Sequence, residues 1–135
     1  MAEGRGITVK IVLLFARMLL GLIFLVFGLN GFLHFIPTGP MPGGLAGQFM
    51  TVFFQSHYVL VVSAVQVLGG LLLLVNLYVP LALAILGPVI VNILCFHFLL
   101  LPKGMVPAFV ATILWVVLFA RHFQYFSGLF IRKTL

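Results

Sequence analysis

MLLGLIFLVFGLNGFLHFI, residues 18–36, opens a run that continues to Pro102 without one Asp, Glu, Lys or Arg. A water-soluble domain of 135 residues needs a charged exterior, because much of a small fold's surface stays exposed however well its core packs. This chain has almost nothing to place there. Hydrophobic residues make up 64% of it and charged residues 6%, and its mean hydropathy is +1.38, so the solvent the sequence is suited to is hydrocarbon.

Working outward from residues 18–36, the next segment is Pro37-Thr38-Gly39-Pro40-Met41-Pro42-Gly43-Gly44, whose prolines and glycines stop a helix. Upstream, residues 7–16 prolong the apolar pattern, with Lys10 and Arg17 two turns apart on one face. Arg17 is expected to snorkel to the interface. The N-terminal stretch lacks a short apolar core followed by a small-residue cleavage pattern, and is read as retained helix. Residues 45–55, LAGQFMTVFFQ, are too short and polar to span and read as an interfacial or re-entrant helix.

The remaining apolar runs predict an all-α chain, a single transmembrane domain folded as a polytopic four-helix bundle. Its spans fall at about residues 11–36, 58–75, 81–101 and 105–126, with an outer segment over 37–56, each span needing roughly 20 residues. The tight turn Asn76-Leu77-Tyr78-Val79-Pro80 makes the second and third spans antiparallel neighbours. With four spans both termini share a side. Arg5, Lys10, Arg17, Arg121, Arg132 and Lys133 fall on that side against Lys103 on the other, so the termini are expected in the cytoplasm. The excess of positive charge therefore reads as anchoring to anionic lipid, with Arg17 and Arg121 at the interface, rather than as a nucleic-acid surface. Cys95 is the sole cysteine, which leaves no intrachain disulfide and no CxxC pair; it is expected as a buried small hydrophobe.

Polar residues at membrane depth are where chemistry is sought, since each needs a partner where water is absent. They are Asn30, His34, Ser63, Gln66, Asn92 and His97, with His57 at the mouth of the second span. At the helical rise, Gln66 and Asn92 both lie roughly 13 Å below the outer boundary, which predicts an interhelical amide bond. Asn30 and His34 share a face by their four-residue spacing. The functional reading is a polar pocket of Asn30, His34, Gln66, Asn92 and His97 that opens outward and hydrogen-bonds a quinone or similar amphipathic ligand. The simpler reading is that these groups cement helices together, as Asn, Gln, Ser and His commonly do in bundles. No metal site is expected, because estimated depth alone does not make a ligand motif. Gly21, Gly28, Gly69 and Gly70 read as close-packing positions, Gly87-Pro88 as a kink, and Trp115 as a core residue whose indole N–H needs an acceptor. No nucleophile with a base, paired carboxylates or phosphate loop is present, so no catalytic residue is assigned.

Arg17-x-x-x-Gly21-Leu22-Ile23-Phe24-Leu25-Val26-Phe27-Gly28-Leu29-Asn30-Gly31-Phe32, the Phe35-Ile36-Pro37 and Pro40-Met41-Pro42 segments, Gly69-Gly70-Leu71-Leu72-Leu73-Leu74, Tyr78-Val79-Pro80-Leu81 and Pro88-x-x-x-Asn92-Ile93-x-x-x-His97 together resemble the DoxX-like family of small four-helix membrane proteins. The resemblance implies a multi-pass protein of the bacterial inner membrane associated with quinone-linked or other redox complexes. Ser63 and Gln66 stand where that pattern carries a Lys and a Glu. The function expected is a non-catalytic accessory subunit of a larger, redox-linked membrane complex. Its partners would be lipids, other integral-membrane subunits or further copies of itself. One alternative is a quinone-interacting subunit of a membrane oxidoreductase related to thiosulfate:quinone oxidoreduction; a second is a small-solute transporter.

Overall fold

The computed structural model describes residues 2–134, and within them the chain is all-α. Five helices follow in order: α1 Ala2–Leu33, α2 Gly44–Gln55, α3 Tyr58–Leu74, α4 Val79–Leu99 and α5 Met105–Arg121, with two 3-10 turns, Phe123–Tyr125 and Ser127–Phe130, after α5. By length and composition α1 and α4 can cross a membrane. The pair α2 and α3 qualifies as one further span, bent by 80° at Ser56-His57. Both α3 and α5 have 17 residues, or about 25 Å of rise, slightly less than the ~30 Å hydrocarbon thickness.

Helix ends depart from the apolar runs for local reasons. The α1 helix stops at Leu33 rather than residue 36, and His34 sits beyond it in the left-handed region at φ 52°. The Asn30 side chain draws the chain away: the Ile36 N–H donates to Asn30 Oδ1 at 2.7 Å, while the His34 N–H still donates to the Asn30 carbonyl at 2.9 Å. Asn supplies a side-chain acceptor that competes with the helical path, and Pro37 disfavours helical geometry at the residue before it. The i,i+4 backbone bond between Asn30 and His34 is thus the last of α1, and His34 leaves the helical path after it. At the far end, α5 stops at Arg121 rather than residue 126. There His122 Nδ1 lies 2.8 Å from the Leu118 carbonyl, and the following turn brings Phe126 back, buried, against Phe119 with ring centroids 4.7 Å apart. Within α4 the helix runs unbroken through Pro88.

Packing runs in a closed circuit: α1 against α3, α3 against α4, α4 against α5, and α5 back against α1. Leu20, Leu73, Leu83, Leu86 and Leu118 fill its centre, fully buried. Large apolar side chains also cover the outside; Phe15 is 73% exposed and Leu99 79%. An exterior of that kind is solvated by lipid tails, not water.

Glycines set the distance between helices. A Cβ on Gly70 would stand 2.7 Å from the Leu25 nitrogen and 2.8 Å from the Gly21 carbonyl oxygen, so α1 and α3 touch backbone to backbone. Gly28 lies against Gln66 and Val67, and Gly31 against Ser63. The neighbouring Gly69 opens the other side of α3 to Leu86 of α4, whose Cγ would be 2.6 Å from an added Cβ. Between α4 and α5, Gly87 leaves room for the Trp115 indole, whose Nε1–H donates to the Leu83 carbonyl at 2.9 Å. That acceptor answers the need set by burying an indole.

Arg17 is half-buried, and its Nη1 donates to the Leu73 and Leu74 carbonyls at the end of α3. A cation is favourable there because the last carbonyls of a helix are unpaired and carry its negative pole. Cys95 is exposed on α4 rather than buried, since the core-facing positions of that helix are Ala82, Leu83, Leu86, Val89 and Ile90.

Candidate functional site

The C-terminal end of α1, α2, the first half of α3 and the second half of α4 enclose a cavity of about 740 Å³. Ligand sites commonly measure about 300–1,000 Å³, with mostly apolar walls and a few polar groups. Asn30, His34, Gln66, Asn92 and His97 all line this cavity, as does Ser63. His57 does not line it; it sits at φ 61° as the residue before α3. Among the described residues, no three His, Cys, Asp or Glu side chains come together as a metal-binding group.

The hydrogen bonds assign a role to each polar atom. Asn30 Oδ1 is occupied by the Ile36 N–H, which leaves its amide N–H2 group as a donor. His97 Nδ1 lies 3.0 Å from the Leu101 carbonyl. A carbonyl only accepts, so Nδ1 is the donor in this bond, and whenever the ring holds a single proton Nε2 is an acceptor. The expected amide bond between Gln66 and Asn92 does not form: neither side chain takes part in a hydrogen bond with another described residue. Asn92 is exposed and Gln66 half-buried along the cavity wall, so the two amides are turned to the open space rather than to each other. Every buried side-chain nitrogen or oxygen among the described residues has a partner. The amides remain available instead.

Facing these groups is an aromatic wall. Phe49 and Phe53, one turn apart on α2, stack with centroids 5.9 Å apart, and Phe49 meets Phe96 of α4 at 5.5 Å. The spacing of Phe49 and Phe53 was the sequence signal for this wall, because i,i+4 aromatics share a helix face. Nothing in the sequence marked the face as turned inward. Arg121 stands elsewhere: with Lys10 and Arg17 it lines a separate cavity of about 310 Å³ at the opposite end of the helices. The larger cavity thus combines hydrogen-bond donors, an imidazole acceptor and flat apolar surfaces. Among the described residues, neither hydroxyl of its lining, Thr38 or Ser63, is hydrogen-bonded to an imidazole. Comparisons with protein-family models, curated proteins and solved structures find no match for the chain.

Proposed function

We propose that this protein is a four-helix bundle of the bacterial inner membrane, with both termini in the cytoplasm, that binds a quinone-class ligand as a non-catalytic subunit of a larger redox-linked complex. The observation that carries the reading is the convergence of Asn30 and His34 from the C-terminal end of α1, Gln66 from the middle of α3, and Asn92 and His97 from the second half of α4 on one cavity with an aromatic wall. A quinone ring has two carbonyl acceptors, which the amides of Asn30, Gln66 and Asn92 suit, and a flat body, which the phenylalanines suit. A hydroquinone hydroxyl would donate to His97 Nε2. The closed packing circuit supports the bundle, the concentration of basic residues near the termini supports their cytoplasmic placement, and the redox association rests on the resemblance of the sequence segments to the DoxX-like pattern.

Solute transport is less well supported. The two cavities lie at opposite ends of the helices, and the buried layer of Leu20, Leu73, Leu83 and Leu86 falls between them. The test is saturable binding of a short-chain quinone analogue to the purified protein in detergent. Asn92→Leu combined with His97→Leu should weaken it at least tenfold without loss of helicity. Equal binding by wild type and variant, or no saturable binding by either, refutes the proposal.

A further inference from the structure

The smaller cavity is lined by Lys10 and Arg17 of α1, Asn76 of the α3–α4 turn, Arg121 and His122 at the end of α5, and Tyr125 beyond it. Three cations converge there, while the only acidic side chain of the chain, Glu3, lies on the first turn of α1, about 10 Å along the helix from Lys10. Like charges gathered without a counter-ion repel one another. Arg17 is fixed in place by its bonds to the Leu73 and Leu74 carbonyls through one nitrogen, which leaves the rest of its guanidinium fork free. Asn76 and Tyr125 add neutral donors.

We infer that this cavity is a binding site for the phosphate group of an anionic membrane phospholipid. Gln124 also lines the cavity, and Leu13, Leu14 and Leu118 complete its lining; the apolar walls of these three suit the glycerol and upper acyl carbons of a lipid but offer inorganic phosphate nothing. Leu14 and Leu22 continue the exposed apolar surface of α1 away from the site toward mid-membrane, a path for an acyl chain. Among the described residues no carboxylate lines the cavity, so the ammonium of a zwitterionic headgroup would meet three cations and no opposite charge. The site therefore selects net-negative headgroups such as phosphatidylglycerol. This inference does not depend on what the larger cavity holds.

Native mass spectrometry of the full chain, released from detergent after incubation with phosphatidylglycerol or phosphatidylcholine, tests it. The wild type should retain phosphatidylglycerol at least tenfold better than phosphatidylcholine. Lys10 and Arg121 are exposed, so Lys10→Gln with Arg121→Gln should keep the helical content and lose roughly 25-fold in retention, at about fivefold per basic residue. Lys103→Gln, which changes a cation outside this cavity, should lose nothing. If the double variant unfolds, each single variant should still show about a fivefold loss. Equal retention of the two lipids, or undiminished retention by folded variants, overturns the inference. Displacement of phosphatidylglycerol by millimolar inorganic phosphate overturns it too, by identifying a site for the free anion.

Discussion

Replacing Gly70 with Ala should destabilise the protein even though alanine is the better helix former. The new methyl carbon would stand 2.7 Å from the Leu25 nitrogen, 2.8 Å from the Gly21 oxygen and 3.1 Å from the Leu25 Cα. All three are backbone atoms, so no rotamer change relieves the clash. Ordinary contact begins near 3.4 Å, and α1 must therefore retreat by about 0.7 Å. A gap of that size forfeits roughly a quarter to a half of each affected dispersion contact. Overpacking of this kind costs about 1–3 kcal/mol, against a helix-propensity gain of at most ~1 kcal/mol. With the full propensity gain subtracted, the net expectation is a loss of up to about 2 kcal/mol. Gly6 gives the control: it lies in α1 with nothing within 4 Å of its missing Cβ, so Gly6→Ala should stabilise by about 0.5–1 kcal/mol. Unfolding in mixed micelles with rising SDS, followed by far-ultraviolet circular dichroism, measures both. If Gly70→Ala shifts the midpoint upward as Gly6→Ala does, the backbone-to-backbone seam between α1 and α3 is not what holds them together.

Gln66→Leu should change stability by less than about 0.5 kcal/mol in the same titration, because no interhelical amide bond is lost; a cost near 1–2 kcal/mol would show that the bond forms in the membrane. Trp115→Phe removes the hydrogen bond to the Leu83 carbonyl while keeping an aromatic ring, and should cost about 0.6–1.7 kcal/mol. A neutral midpoint shift would show that the indole N–H contributes nothing. Cys95, exposed on the outer face of α4, should react in intact vesicles with a lipid-soluble maleimide and resist a charged one. Rapid labelling by the charged reagent would place that face of α4 in water.

Much of the fold was legible in composition. A run from Met18 to Pro102 without a charge admits few solvents, and the Pro/Gly segment at residues 37–44 separates α1 from α2 as its residues require. Helix ends were less legible where a side chain intervenes: the apolar letters continue through Phe35 and Ile36, but Asn30 accepts the Ile36 N–H and ends α1 at Leu33. Arg17 shows the same limit. Its position in the sequence is that of an interface residue, and only the arrival of the α3 terminus beside it supplies the carbonyls it binds. At the larger cavity, helical rise alone brought Gln66 and Asn92 to one depth. Which way their amides turn depends on how closely α3 and α4 approach, and that is set by Gly69 and Leu86, on a different part of the seam.

The circuit of packing also fixes an order of events during synthesis. Gly21 and Gly28 of α1 find their partners on α3, with Gly70 some fifty residues later, so at a ribosomal pace of about 5–20 residues per second the first helix waits roughly 3–10 seconds for its mate. During that interval its notched flank faces lipid, open to any other helix with a matching groove. The ring then shuts only when α5 emerges and settles against α1. The helix made first is thus the last to be fully enclosed.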